Sequence, residues 1–305
     1  MTASIIRNKK SLNRINAAII FFLALYFGEY LKEGVLYGIR LCVYNIIPTL
    51  FPFFLLSDYW QSNIIFSNKD LLGKIFEKTF KINSTGLSTY LLGNICGFPV
   101  GIKAAANQHK QGLITETDLK SLLVICNNPS AAFVILGVGA GMFSSINLGI
   151  KLYISVIFSS LILGIFLKPK GNSLINIGEN TRQNFIFANS IKDASMSSIL
   201  VSSYIIFFSS ITVAISKIIK NQLLLCLICS FLEISSACNI IAKSQNILDI
   251  FAPCLASFAL SFSGISVFLQ AFSLLPHFIS RRKYFFTKLL QGLLSFIITY
   301  TLIII

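Results

Sequence analysis

Apolar runs about twenty residues long alternate with short polar connections over nearly the whole chain. A helix needs about 20 predominantly apolar residues to cross a bilayer. Nine segments approach that length: residues 15–31, 36–57, 87–106, 122–143, 148–167, 194–216, 222–242, 250–275 and 284–305. The first is short for a crossing, and nine apolar segments need not be nine crossings. Between residues 64 and 80 the apolar positions Leu71, Leu72, Ile75, Phe76 and Phe80 recur at helical spacing, opposite Lys69, Asp70, Lys74, Glu77 and Lys78. That stretch is too charged to span and predicts an interfacial helix lying on the headgroups, with Trp60 as an anchor at the membrane surface. The one long polar stretch, residues 168–193, divides the chain near its middle.

The pattern repeats across that divider. The first half runs plain span, span broken around Gly97, span broken around Pro129, plain span. The second runs plain span, span interrupted around Glu233, span interrupted around Gly264, plain span. "LLGNICGFPVGIKAA" falls against "LICSFLEISSACNII", and "CNNPSAAFVIL" against "SFSGISVFLQA"; identity is slight, and the matched features are the breaks and polar residues. Paired interruptions in two halves are a pointer to a transporter's binding site. If one interrupted segment per half re-enters instead of crossing, each half has three crossings and the halves are inverted; the sequence leaves open which segment that is. The expected fold is an all-α, polytopic transmembrane helical bundle with two structural repeats, inverted to one another and containing broken or re-entrant helices. Its parts are a basic lead and first membrane helix (1–40), a first repeat including the interfacial helix (41–167), a polar linker (168–193) and a second repeat (194–305).

Composition agrees. Of 305 residues, 55% are hydrophobic and 12% charged, with a mean hydropathy of +0.77, whereas soluble domains carry roughly 25% charged residues. A soluble fold of this length has too little polar cover for so much apolar surface. The formal charge of +14 sits in the connections, where lysine and arginine set orientation and meet anionic headgroups, so the partner is the lipid bilayer and not nucleic acid. All seven cysteines lie in apolar runs, and the Cys226/Cys229 pair has no second pair or histidine beside it, which reads as helix packing. His109 and His277 form no metal-ligand spacing, so neither metal nor cofactor is expected. The basic lead (Arg7, Lys9, Lys10, Arg14) precedes the first apolar run without a small-x-small cleavage site, which predicts an uncleaved helix with a cytoplasmic N-terminus. The chain holds no HExxH, no Ser/His pairing, no paired acidic motif and no glycine-rich nucleotide loop, and an enzyme is not expected.

The interruptions carry the candidate chemistry. In Asn127-Asn128-Pro129-Ser130, proline ends one half-helix and Asn128 caps the next, so amides from Ser130 onward present a positive helix end suited to an anion; the plainer alternative is a proline kink satisfied by neighbours. Gly97-Phe98-Pro99-Val100-Gly101 allows a similar break, with Lys103 a turn later at a cost of roughly 2.5–3.5 kcal/mol in lipid unless it snorkels. Glu233 lies near mid-segment and must be protonated, paired or facing water: a coupling-ion ligand, a proton carrier, a partner for Lys103, or a structural cap. Ser263 could cap a half-helix starting at Gly264, with Ser266 and Gln270 beyond; serine and glycine are also common at packing faces.

Five stretches, "IPTLFPFFLLSD", "GNICGFPVGIKAA", "CNNPSAAFVILGVGAGM", "LEISSACNI" and "FSGISVFLQ", in that order resemble the sporulation integral membrane protein YlbJ family, within the wider group carrying the Gate, or nucleoside-recognition, domain. The resemblance implies an endospore former, a membrane surrounding the forespore, and transport of dipicolinate as the activity. It implies a site built from Pro99, Lys103, Asn127, Asn128, Pro129, Ser130, Glu233, Ser263, Gly264 and Ser266. It also implies a small anionic solute as partner, alongside a second copy or other sporulation membrane proteins. The alternatives are a non-transporting assembly factor or receptor and a carrier for a nucleoside.

Overall fold

A computed structural model describes residues 21–304 apart from 65, 68, 169–185 and 245–249. The basic lead, the start of the first apolar segment and most of the polar linker lie outside the described residues. Among the described residues every regular element is a helix. Four helical stretches are long and apolar enough to cross a bilayer, Ile146–Phe166, Phe187–Ile218, Phe251–Leu274 and Arg281–Ile304, and with the composition they make this an integral membrane protein.

After a helical turn or so at residues 21–26, α1 (Gly28–Leu41) passes through a wide-turn segment at Cys42–Ile46 and continues as α2 (Ile47–Asn63). Two separate segments were expected here, yet no loop parts them. Glu33 stays helical and pairs with Lys217 at 3.3 Å, so "EYLKEG" is a helix face and not a connection. The irregularity comes later: Pro48 and Pro52 lack the N–H groups that would close ordinary turns, and the Ile47 amide reaches back five residues to the Cys42 carbonyl. This long rod runs antiparallel to α8 (Phe187–Ile218). Lys217 meets Glu33 at one end, Gly38 lies against Ile206, Cys42 donates to the Ser202 carbonyl, and Ser190 hydrogen-bonds Asp58 at the other end. Small residues, Gly34 and Gly38 against Ser209 and Ser210, permit the close approach, as membrane helix pairs require.

The helix expected over residues 64–80 begins later, as α3 (Leu71–Phe80), with Gly73, Phe76 and Phe80 buried and Leu71, Leu72 and Ile75 exposed. Trp60 is half-buried against the α2 side of the core.

The segment broken around Gly97 does not continue in one direction. Helices α4 (Gly86–Cys96) and α5 (Val100–Lys110) fold back on one another. At the base, Gln108 donates to the Thr85 carbonyl and to the Ser88 hydroxyl, both at 3.0 Å. Near the tip, a β-carbon on Gly101 would lie 2.8 Å from the Gly93 α-carbon. A straight helix would hold residues 93 and 101 about 12 Å apart, so this is a hairpin. The segment broken around Pro129 runs onward: α6 (Glu116–Cys126), an extended break over residues 127–130, then a wide-turn helix whose regular part is Phe133–Met142. Helix α7 (Ile146–Phe166) follows.

After α8 the same order occurs. Helices α9 (Gln222–Leu232) and α10 (Ile234–Ala242) turn at Glu233, and Cys226 and Ser244 are side-chain neighbours across them, a second hairpin. Helices α11 (Phe251–Phe262) and α12 (Gly264–Leu274) join through Ser263 in left-handed backbone (φ 73°). The closing helix α13 (Arg281–Ile304) packs along α11 and, antiparallel, along α7, where Lys151 donates to the Leu302 carbonyl at 2.6 Å and Gln291 reaches Val156. The α11–α12 rod is the most enclosed of the four long apolar stretches, with every residue from Ala252 to Phe262 buried.

Close backbone approach holds the first hairpin to α6: a β-carbon on Gly93 or Gly101 would run into the Cys126 carbonyl oxygen. Gly93→Ala and Gly101→Ala should each destabilise the protein by about 1–3 kcal/mol, read as a lower thermal midpoint in detergent. Gly28→Ala, with nothing within 4 Å, should be neutral or slightly stabilising; equal midpoints for all three would refute the tight contact.

Candidate functional site

Each hairpin tip rests on the break of the interrupted helix beside it. In the first half, the left-handed Gly97 (φ 79°) presses against the backbone of Ser130, and the Phe98 amide donates to the Asn128 carbonyl at 3.0 Å. In the second half, Gly264 (φ 72°) lies against the Leu232 carbonyl, where a β-carbon would come within 2.9 Å, and next to the Glu233 amide. Only glycine combines the positive φ with that proximity.

Interrupting α6 leaves carbonyls without helical partners, and the site is built on satisfying them. Asn94, in the hairpin, donates to the Ile125 carbonyl at 3.2 Å. Lys288, on α13, donates to the Asn127 carbonyl at 2.7 Å. Asn128 turns its side chain inward, donating to Asn94 Oδ1 at 2.8 Å and to Ser160 at 3.2 Å, and it accepts from Gln291 Nε2 at 2.8 Å. Gln291 accepts in turn from Lys288 at 2.7 Å. Asn127 donates to the Tyr284 hydroxyl, and Tyr153 on α7 donates to the Asn94 carbonyl at 2.9 Å. A continuous polar chain therefore crosses the apolar interior and joins hairpin, break, α7 and α13.

Asn128 is thus not the helix cap expected from the sequence. Ser130 takes that place, accepting from the Phe133 amide at 3.2 Å, with Pro129 just before it. Asn128 is drawn away because four buried partners surround its amide, the Asn94, Ser160 and Gln291 side chains and the Ile125 carbonyl. Ser263 does not cap α12 either; its hydroxyl turns back to the Leu260 carbonyl at 3.2 Å, since the left-handed backbone points it up the preceding helix. Ser266 and Gln270 are buried neighbours on α12, hydrogen-bonded at 3.4 Å. Pro99 opens α5, with the Lys103 amide donating to its carbonyl.

Glu233 and Lys103 do not meet as an ion pair. The Glu233 carboxylate accepts from the Ser235 and Ser236 amides at 2.9 and 2.7 Å, capping α10 with charge, as a helix N-terminus favours. Lys103 faces Asp58 at 3.7 Å, and each side chain is mostly enclosed, 14% and 18% exposed. Among the described residues no group of histidine, cysteine or acidic side chains could hold a metal ion.

Sequence reasoning missed Lys288, Gln291, Tyr284, Asn94, Ser160 and Tyr153. The signal for the first three was present: Tyr284, Lys288, Gln291, Ser295 and Thr299 recur every three or four residues in the last apolar segment, and all five are buried. A polar stripe on an otherwise apolar helix faces protein, not lipid.

Two predictions follow from these bonds. Asn128→Leu and Gln291→Leu should each cost about 1–3 kcal/mol, because each orphans buried partners, while the double variant should fall short of the sum by about 0.5–3 kcal/mol; additivity would dissolve the network. Glu233→Ala should cost about 0.5–2 kcal/mol through loss of the cap, with Glu233→Gln keeping only one of the two bonds, its NH2 facing the other amide donor to donor, and so also destabilised. Equal thermal midpoints for Ala and wild type would show that the cap contributes nothing.

No protein-family model and no solved structure matches the chain. It is similar to a curated protein, the sporulation integral membrane protein YlbJ of Bacillus subtilis, with 22% identity over 291 residues, 81% of this chain and 71% of that protein. The five motifs and this alignment agree: the chain is an integral membrane protein resembling YlbJ over four-fifths of its length.

Proposed function

We propose that this protein is a membrane transporter (permease) for a small anionic solute, with dipicolinate during spore formation as the solute that the resemblance to YlbJ suggests. The observation that carries the reading is the pairing of each hairpin tip with the break of an interrupted helix, Gly97 on Ser130 and Gly264 on Leu232–Glu233. Uncoiled backbone is tolerated at membrane depth where protein or a water-filled cavity surrounds it, and such breaks are where transporters hold solute and coupling ions.

The reading takes the two halves as inverted repeats. It is supported by the repeated order of helix, hairpin, broken helix and helix, and by the antiparallel packing of the counterparts α1–α2 with α8 and of α7 with α13. On this reading the hairpins re-enter the membrane from opposite sides, and their tips gate a site between the halves near the midplane. Pro99, Asn127, Asn128, Pro129, Ser130, Ser263, Gly264 and Ser266 form its walls. Glu233 and Lys103 act through the cap and the Asp58 pair that hold the hairpins in place. The positive end of the helix beginning after Ser130 suits a carboxylate, whereas the α10 end is already occupied by Glu233.

The test is uptake of labelled dipicolinate into proteoliposomes, together with labelling of Ser130→Cys. All seven native cysteines are buried, so an impermeant thiol reagent should mark the new cysteine above a low background, and dipicolinate should protect it. Saturable uptake with protection supports the carrier. No uptake under any imposed gradient, with labelling indifferent to dipicolinate, overturns it.

A further inference from the structure

We infer that Lys288 supplies the positive charge that selects an anionic solute, a role resting on the transport reading above. Its side chain is 2% exposed, a third of the way along a membrane helix, and no carboxylate pairs with it among the described residues. Lys288 spends two N–H groups on neutral oxygens, the Asn127 carbonyl and Gln291 Oε1, and keeps a third. Beside it Asn127 Oδ1 is fully buried without a hydrogen-bond partner. Among the described residues the acids enclosed in the interior are already matched: Asp58 by Lys103, Glu233 by the two α10 amides, and Asp118 by Thr115 and the Asn83 amide.

A purely structural role, capping the carbonyl end of α6, needs only a donor, and serine, glutamine or asparagine would supply one without the cost of a charge in lipid. A buried cation lacking an internal counter-ion favours one from outside. The break at residues 127–130 is the way in. The first hairpin's tip covers it, with the Phe98 amide on the Asn128 carbonyl and Gly97 against Ser130, so lifting that tip would expose Asn127 and the ammonium behind it to a small carboxylate.

The experiment uses the full-length protein in detergent and in proteoliposomes, with dipicolinate and its neutral diamide as probes. Wild type should be stabilised by dipicolinate and not by the diamide. Lys288→Met should lose that preference, with apparent affinity for dipicolinate down at least about tenfold, and Lys288→Arg should keep it. Gln291→Glu tests the same point without removing the lysine: it places a carboxylate where Gln291 Oε1 already accepts from Lys288, and this internal counter-ion should compete with the solute and weaken dipicolinate to a similar extent. It carries the test if Lys288→Met does not fold. A folded Lys288→Met or Gln291→Glu protein that still prefers dipicolinate as wild type does overturns the inference alone. Wild type that neither binds nor carries any anion overturns the transport reading and this inference with it.

Discussion

Hydrocarbon offers no hydrogen bonds, so a helix interrupted inside a membrane must find protein partners for every backbone group it releases. In this chain that constraint decides the architecture around both breaks. The carbonyls freed at the end of α6 collect Asn94 from the hairpin, Lys288 from α13 and the Phe98 amide from the hairpin tip. The amides freed at the start of α10 take the Glu233 carboxylate. Because the partners come from different elements, each break binds its neighbours together, and the hairpins are held at their tips as well as by apolar packing.

The two halves meet this demand differently. The first uses neutral amides and one cation, the second one anion and a left-handed turn at Ser263. The two breaks are thus held by different groups, a lysine with neutral amides at one and a carboxylate at the other. An acid is buried at the second break, Glu233, and a lysine with no carboxylate partner among the described residues is buried at the first, Lys288. If the protein carries an anion as proposed, this asymmetry would orient it toward the Asn127–Ser130 break and disfavour its approach to the α10 end.

Much of this was legible in the sequence. The interruptions at Gly97, Pro129, Glu233 and Gly264 all correspond to structural breaks, because proline, glycine and mid-run polar residues act locally on the backbone. What was not legible depends on long-range geometry. Whether a broken segment crosses or turns back is fixed by contacts such as Gln108 with Thr85, 23 residues apart. Asn128 reads as a cap by propensity, yet its amide is claimed by Asn94, Ser160 and Gln291 from three other helices. "EYLKEG" reads as a polar connection until Lys217 answers Glu33 across α8. In each case a tertiary partner outweighs the local signal.

Lys288 shows where pattern reading stops short. A single lysine between Thr287 and Leu289 near the start of an apolar run looks like a residue snorkelling to the headgroups, and only its spacing to Tyr284 and Gln291 places it on an inward face. Once inside, its effect depends on what else is charged nearby. Had Asp58 or Glu233 faced it, the ammonium would be half of a structural pair, and the break beside it would be neutral. Instead those acids are committed elsewhere, one to Lys103 and one to backbone amides. The charge at the first break is therefore set by how the acids are distributed over the whole bundle, and moving any one of them would change what the break can hold.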